Sequence, residues 1–266
     1  MTHASTVERR DKIVQLAISS GPTNVDELAV YFNVTSSTIR RDLARLTSEG
    51  RITRTYGGAI ALVGHAEPSL SERQSEAHEQ KVLIAEWARK RVLPGDTLLL
   101  DLGSSVATLA SRLKNIEDLS IATVNLSVIT ALSGLPSGKL YCLGGQYRPL
   151  SQGFVGPLAE AAVERLTFDT AFLGTDGVSP DGEISEADLQ QLRFKELVCR
   201  RARNVYVLAH GEKIGQSPVH GWARLPLPWT LVTDDSAPED VLASIQATGV
   251  EVVVVPSTPV DDDTDR

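Results

Sequence analysis

The feature that most constrains the fold of this chain is an alternation of short apolar runs with helical stretches, which begins near residue 76. Most of these runs lack strict polar alternation. Strands of this kind, separated by helices, are typical of a mostly parallel sheet that is covered on both faces. The predicted strands are 97–100, 120–124, 139–143, 170–173, 205–208, 231–233 and 250–255. The predicted fold class of this larger part of the chain is therefore α/β.

Residues that follow these strands are candidates for a binding site, because ligands bind beyond the carboxyl ends of strands in such sheets. The first strand runs into residues 101–105, Asp-Leu-Gly-Ser-Ser, and small residues at a strand-to-helix turn expose N–H groups that favour a phosphate. Gly144 and Gly145 follow the third strand, where only small residues let a ligand approach the backbone. Lys195 and Lys213 could each meet a phosphate or sugar oxygen.

Each of these features also occurs at positions where no ligand binds. A Gly-Ser-Ser segment is often only a turn, Asp176-Gly177 is an ordinary turn dipeptide, and lysines are usually on the surface. Several such turns fall at the same ends of successive strands, and this recurrence favours a binding site.

The first fifty residues predict three helices. Residues 7–19 carry an apolar stripe at helical spacing, and Asn24 with Glu27 forms a capping-box-like start for a second helix. Thr35 is a good N-cap for a third helix, and Gly50 is a good residue just after its end. The second helix, a tight turn and the third helix have the proportions of a helix-turn-helix.

The third predicted helix has two distinct faces. Ile39, Leu43 and Leu46 recur at helical spacing and must face the small core. The opposite face carries small residues beside arginines: Ser37, Ala44 and Ser48 with Arg40, Arg41 and Arg45. Small side chains would admit base edges, and arginines would reach phosphates or guanine. A small helical bundle with a solvated arginine face is the alternative interpretation of this pattern.

Basic residues are concentrated at this end of the chain. Residues 1–60 hold eight Lys and Arg and six Asp and Glu, whereas the whole chain has a net charge of −8. An acidic protein with a basic end favours a polyanion as partner. Residues 51–58, after the third helix, alternate like a strand with a Gly-Gly turn, which predicts a wing that carries Arg51 and Arg54.

Composition and segment lengths exclude several other classes of protein. No apolar run approaches the ~20 residues that span a bilayer, and the start of the chain lacks the apolar core of a signal peptide. The two cysteines, Cys142 and Cys199, fit neither a disulfide framework nor a metal-ligand spacing. We expect a soluble cytoplasmic protein without a membrane partner, a cofactor or a metal.

Residues 7–60 closely resemble the DNA-binding domain of the DeoR family of bacterial transcriptional regulators. The most specific part of the match is Thr38-Ile39-Arg40-Arg41-Asp42-Leu43, and Gly50, Arg54 and 57–59 (Gly-Gly-Ala) continue it. Thr35 stands where the family more often has Ser, which keeps the cap. The resemblance implies a winged helix-turn-helix. The predicted DNA-binding residues are Thr35, Ser36, Ser37, Thr38, Arg40, Arg41, Ala44, Arg45, Arg51 and Arg54.

The larger part of the chain is similar to the sugar-sensing domain of the same family, which resembles ribose-5-phosphate isomerase and the CoA transferases in fold. The similarity is carried by segments such as 95–97, 123–126 and 171–174. It implies a phosphorylated sugar or related metabolite as effector. The predicted contacts are Asp101, Gly103, Ser104, Ser105, Thr123, Asn125, Gly144, Gly145, Asp176, Gly177, Lys195 and Lys213.

Three residues depart from the family pattern near the predicted pocket. Ser105 replaces the usual Thr, which is a mild change. Gln191 stands where the family usually has Glu, and His210 stands where it usually has Asp. The last two changes each remove a carboxylate, so the identity of the effector is not implied by the resemblance.

We expect four segments: a winged helix-turn-helix domain over 1–62, a linker over 63–75, an α/β effector-binding domain over 76–256, and an acidic disordered tail over 257–266. The resemblance implies a sequence-specific regulator that represses an operon of carbohydrate metabolism. One small domain has too little interface for tight operator binding, so we expect a homodimer or homotetramer on double-stranded DNA.

Two alternatives stay open at this point. The chain could be an enzyme, a sugar-phosphate isomerase or CoA transferase with a helical appendage, although we expect no enzymatic activity. The acids and bases of such an enzyme would come from Asp101, Asp176, Glu183 and Glu186. The chain could also be a regulator with a vestigial pocket.

Overall fold

The structure is a computed structural model, and it describes residues 6–20, 23–48, 52–55, 58–61, 69–216, 219 and 221–257. Within these residues the chain forms a small region of three helices and a three-stranded sheet, followed by a larger α/β region. None of the helices described is long and apolar enough to cross a membrane.

The small region is a winged helix-turn-helix, as predicted. Its elements are α1 (Thr6–Ser20), β1 (Thr23–Asn24), α2 (Val25–Phe32), α3 (Ser36–Ser48), β2 (Ile52–Thr55) and β3 (Gly58–Ala61). The hairpin of β2 and β3 is the wing, and β1 pairs with β3. The Asn24 side chain caps α2 by accepting from the Asp26 N–H, and Asn33 ends α2 in the left-handed conformation. Ile13, Leu28 and Leu43 lie in one apolar core that joins the three helices.

The large region is built on a seven-stranded sheet in which every neighbouring pair is parallel. Its spatial order is β15-β14-β12-β9-β4-β5-β6, and all seven strands agree with the sequence prediction. These strands are β4 (Thr97–Leu100), β5 (Ser120–Thr123), β6 (Lys139–Cys142), β9 (Phe168–Leu173), β12 (Ala202–Leu208), β14 (Thr230–Asp234) and β15 (Glu251–Val255). The α/β fold class is therefore confirmed.

Both faces of this sheet are covered by helices. The covering helices are α5 (His78–Arg89), α6 (Ser104–Ala110), α7 (Leu126–Leu132), α8 (Pro157–Val163), α9 (Leu189–Cys199) and α10 (Glu239–Ala247). Successive residues of one strand enter different cores, since Leu98 lies in the cluster with Ile84 whereas Leu99 lies in the cluster with Val198. Because both faces are buried, the strands lack polar alternation.

Several short elements extend the loops at the carboxyl ends of the strands. They are β7 (Gln146–Arg148), β8 (Gly153–Val155), β10 (Gly177–Val178), β11 (Ile184–Ser185), β13 (Trp222–Ala223) and the 3₁₀ turn Gly211–Lys213. Strands β7 and β8 form a hairpin, and β10, β11 and β13 form a small antiparallel sheet. These additions build walls above the edge of the sheet where a ligand was predicted.

The predicted linker differs from what the structure shows over its last six residues, Leu70–Ser75, which form helix α4. A capping box of Ser69 and Glu72 starts α4. Leu70 is fully buried, and its N–H donates to the Leu150 carbonyl at 2.9 Å, so α4 belongs structurally to the α/β region. Residues 63–68 of the predicted linker, and 258–266 of the predicted tail, lie outside the described residues.

Candidate nucleic-acid interface and ligand pocket

Helix α3 presents the two faces that its spacing predicts. Ile39, Leu43 and Leu46 are fully buried in the small core. The other face is solvent-exposed at Ser37, Arg40, Arg41, Ala44, Arg45 and Ser48. The Thr35 hydroxyl accepts from the Thr38 N–H at 3.2 Å, as expected at the start of the helix. The face is therefore exposed to solvent and positively charged.

An ion-pair cluster fixes α3 against α1. Asp42 is buried, and its carboxylate accepts from Arg9 at 2.7 Å and from Arg10 at 2.9 Å. Although Arg9 and Arg10 count as basic residues of this end, they neutralise Asp42 inside the protein. The charge offered to a polyanion by α3 comes instead from the other face of the helix.

Two further residues, Arg51 and Arg54, were predicted to contact DNA from the wing. Arg54 is on β2, and Arg51 falls outside the described residues. At the start of α3, the Ser36 hydroxyl donates to Asp26 at 2.9 Å, which ties α3 to α2.

The C-terminal half of α3 faces the α/β region across a groove of about 240 Å³. Ala44, Thr47 and Ser48 line one side, and Tyr147 and Leu189 are among the residues of the other side. Among the described residues that were predicted to contact DNA, Ala44 lines this groove. A base contact at Ala44 therefore requires the two regions to move apart.

A pocket lies at the carboxyl ends of β4, β9 and β12, where the sequence predicts a ligand. Its lining residues are Arg73, Leu102, Gly103, Ser104, Ser105, Ser151, Gly174, Thr175, Asp176, Glu186, Gln191 and Lys213. Five of the predicted effector contacts are among them, namely Gly103, Ser104, Ser105, Asp176 and Lys213. The cavity is about 10 Å³ in this conformation, which is room for about one water molecule.

Two other predicted contacts, Asp101 and Lys195, form the buried floor beneath this pocket. The Lys195 ammonium pairs with Asp101 and, at 3.0 Å, with Glu186, and all three side chains are buried. Burial alone lowers the pKa of Lys195, but the two carboxylates raise it, so the ammonium stays charged. Burial raises the pKa of Glu186 to about 8. The floor is therefore close to charge balance at neutral pH.

Thr123 and Asn125 lie behind the pocket and support the turn that follows β4. The Asn125 amide donates to the carbonyls of Asp101 at 3.1 Å and Gly103 at 3.3 Å. The Thr123 hydroxyl donates to the Leu100 carbonyl at 2.6 Å. Both residues are fully buried, so their contacts hold the backbone on which the pocket is built.

Three predicted glycine contacts also lie away from the pocket lining. Gly145 has a φ of +123°, and a Cβ there would lie 2.6 Å from the Val155 carbonyl oxygen, so its small size is needed for packing against β8. Gly144 also has positive φ but open space around it. Gly177 lies on β10, and its N–H donates to the Thr175 hydroxyl at 3.3 Å.

Five polar lining residues are absent from the predicted set: Arg73, Ser151, Thr175, Glu186 and Gln191. Arg73 lies in the predicted linker and donates to Asp176 at 3.1 Å. The buried Ser151 hydroxyl has no hydrogen-bond partner in the part of the chain that the structure describes. Sequence spacing gave no indication of Arg73 or Ser151, whereas Gln191 was marked by its departure from the family pattern.

Positive charge surrounds the side of the pocket near Lys213. Its ammonium donates to the Thr175 carbonyl at 2.6 Å, and Lys81 donates to the carbonyls of Arg73 and Glu76. Burial lowers the pKa of Lys81 to about 8, and burial with the two lysines lowers the pKa of His210 to about 4. His210 is therefore neutral at pH 7.

The electrostatics of Asp176 complement this arrangement. Burial alone raises its pKa, but Arg73 and Lys213 lower it below the ordinary value. The carboxylate therefore stays ionised in the pocket, where it pairs with the guanidinium of Arg73.

Comparison with known proteins gives matches along most of the chain. The family model described as the DeoR-like helix-turn-helix domain matches residues 9–63, and that of the DeoR C terminal sensor domain matches residues 76–235. A solved ribose-5-phosphate isomerase in complex with phospho-erythronic acid aligns over 51% of this chain and 53% of its own, with 18% identity and a TM-score of 0.38.

Curated relatives align over nearly their whole length. The lactose phosphotransferase system repressor of Streptococcus mutans is 31% identical and covers 85% of this chain and 91% of its own. The glycerol-3-phosphate regulon repressor of Escherichia coli is 27% identical over 88% and 93% of the two chains. The repressor CsqR of Escherichia coli is 27% identical over 96% and 97%. The chain belongs to the DeoR family of transcriptional regulators.

Proposed function

We propose that this protein is a sequence-specific DNA-binding repressor of an operon for carbohydrate metabolism. The observation that carries the proposal is the exposed face of α3, where small residues lie beside Arg40 and Arg41 and opposite a buried apolar stripe. Such a face suits insertion into the major groove, with the wing near the backbone. The named repressors among its relatives support the same function.

The assembly that binds DNA is a homodimer or homotetramer. A single winged helix-turn-helix buries too little surface for the affinity of a specific operator complex, so two copies must share one site. The operator is then a palindromic or repeated sequence whose spacing matches the two copies.

The effector is a phosphorylated sugar or a related metabolite. The buried hydroxyls of Ser104, Ser105 and Ser151 supply donors, and Arg73 and Lys213 supply cations at the same pocket. Relatives named for the glycerol-3-phosphate regulon and for the lactose phosphotransferase system support this class. Effector binding changes operator affinity only through unequal affinity for two states of the protein.

The pocket binds its ligand without turnover. A carboxylate that acts as a general base must be free to reach a substrate proton. Here Asp101 and Glu186 both contact the Lys195 ammonium, and Asp176 contacts Arg73. The enzyme alternative is therefore not favoured.

Two measurements test this function. Wild-type protein is first used to select duplexes from a random library, and we expect enrichment of one palindromic or repeated motif. Calorimetry with a panel of sugar phosphates is then combined with an assay for pentose-phosphate isomerisation. Saturable heat without turnover supports a regulator. Isomerisation at enzymic rates, with no enriched motif, would establish the enzyme instead.

A further inference from the structure

Helix α4 connects the pocket to the DNA-binding region. The wing ends at Ala61 and α4 begins at Leu70, so α4 is the first described element of the chain after the wing. Its Arg73 side chain lines the pocket, and α4 also contacts α6, which follows the pocket turn at Ser104. Because Arg73 is part of α4, a change at this wall of the pocket also changes the described segment that follows the wing.

Several described contacts hold α4 in place. Leu70 is buried and its N–H donates to the Leu150 carbonyl at 2.9 Å. The Lys81 ammonium donates to carbonyls at the end of α4, and Arg73 pairs with Asp176 at 3.1 Å across the pocket. Of these contacts, the ion pair is the one that an anionic ligand can replace, because such a ligand can take the place of the Asp176 carboxylate.

The pocket as described has no room for a sugar phosphate. Its cavity has room for about one water molecule. A phosphate that enters would meet the Asp176 carboxylate, which repels it, and the Arg73 guanidinium, which binds phosphate with two parallel hydrogen bonds. Lys213, whose ammonium donates to the Thr175 carbonyl and whose charge acts on Asp176, lines the same pocket. An entering anion therefore competes with Asp176 for the Arg73 guanidinium.

We propose that the Arg73–Asp176 ion pair is a latch that holds α4 closed on the pocket, and that the anionic group of the effector opens it by taking the place of Asp176 on Arg73. The inference rests on the proposed function, because it needs an anionic effector and a DNA-binding region that responds to it. Opening the latch moves α4 and thereby changes how the winged helix-turn-helix is presented to DNA.

The test breaks the latch from each side in the full-length protein. Arg73→Gln removes the cation, and Asp176→Asn removes the carboxylate with little change of shape. Arg112→Gln is the matched control, because Arg112 pairs with Glu86 at 2.6 Å in the same α/β region, between α6 and α5. Hydrogen exchange of the α4 amides and affinity for the selected duplex are measured for each protein, with and without each member of a sugar-phosphate panel.

We expect both latch variants to exchange the α4 amides faster than the wild type without ligand, and the control to match the wild type. Both variants should shift duplex affinity in the direction that a binding sugar phosphate shifts it in the wild type, by roughly 5- to 150-fold. A saturating sugar phosphate should then change the affinity of Arg73→Gln by less than about twofold.

Failure of the latch and failure of the proposed function are distinguishable. If the wild type responds to a sugar phosphate while α4 exchange is the same in both latch variants and in the wild type, the latch is wrong and the function stands. If the wild type selects no duplex and binds no member of the panel, the proposed function is overturned, and the latch with it.

Discussion

Asp42 shows how one residue separates structural charge from functional charge in the small region. A buried carboxylate is costly unless it is paired and hydrogen-bonded. Arg9 and Arg10 both meet this need from α1, so the segment that contains Asp42 carries arginines for binding on one face and an acid for assembly on the other. Overall charge alone could not distinguish these roles, because Arg9 and Arg10 are counted with Arg40 and Arg41.

Asp42→Ala should therefore weaken folding of the small region. Loss of the buried carboxylate leaves two guanidinium groups facing each other, and we expect the free energy of unfolding to fall by about 2–3 kcal/mol, below the full effect for a buried pair because both arginines are partly exposed. Hydrogen exchange of α1 and α3 amides measures this loss. The exposed Glu27→Ala is the control, and equal protection in the two variants would contradict the role of Asp42.

At the scale of elements, the long strands were predictable and the short ones were not. Each sheet strand buries both faces, so β9 and β12 appear in the sequence as continuous apolar runs. Strands of two or three residues, such as β10 and β11, are too short to show a period. Helix α4 has one fully buried apolar residue, Leu70, and hence no apolar stripe. Its contribution to the pocket therefore could not be predicted from spacing.

The connection between β6 and β7 gives a matched pair of variants. Gly145→Ala places a Cβ 2.6 Å from a backbone oxygen at a φ of +123°, and we expect a loss of about 2–4 kcal/mol in the free energy of unfolding. Gly144→Ala also has positive φ but open space, and should cost about 1–2 kcal/mol. Urea unfolding followed by circular dichroism compares them. A Gly144→Ala loss as large as that of Gly145→Ala would show that close packing against β8 is not the reason for Gly145.

At the scale of the whole molecule, the predicted pocket contacts fall into groups: residues that line the pocket, buried residues beneath it, and residues that support its backbone. Turns at the ends of parallel strands could be predicted to meet, and 103–105, Asp176 and Lys213 do line one pocket. The sequence could not distinguish a lysine that faces the ligand from one buried beneath it. Lys195 is buried because Asp101 and Glu186 neutralise it, which is a property of three segments brought together only by the fold.

The buried neutral His210 should make the stability of the whole chain depend on pH. Burial lowers its folded-state pKa to about 4, whereas in an unfolded chain the value is about 6.5. Between these values the unfolded chain binds the extra proton, so this contribution is complete above pH 6.5 and is lost as pH falls toward 4. The groups that act on His210 are Lys81, Lys213, Asp234 and Glu212.

We expect His210→Asn to remove up to about 3 kcal/mol of the acid-induced loss of stability. The measurement is chemical unfolding of full-length protein at a series of pH values from 7 down toward 4. His78→Asn, at an exposed position on α5, is the control and should follow the wild type. Parallel curves for His210→Asn and the wild type would contradict a buried neutral imidazole.

DNA reading by α3 is tested most directly by the binding of Arg41→Ala to the selected duplex and to a scrambled one. Arg41 lies on the exposed face of α3, which the proposed complex puts against base edges, so the variant should lose about 1–3 kcal/mol for the selected duplex and much less for the scrambled one. Arg112→Ala, far from α3, should bind as the wild type does. If Arg41→Ala keeps both the affinity and the sequence preference of the wild type, α3 does not read DNA through this face.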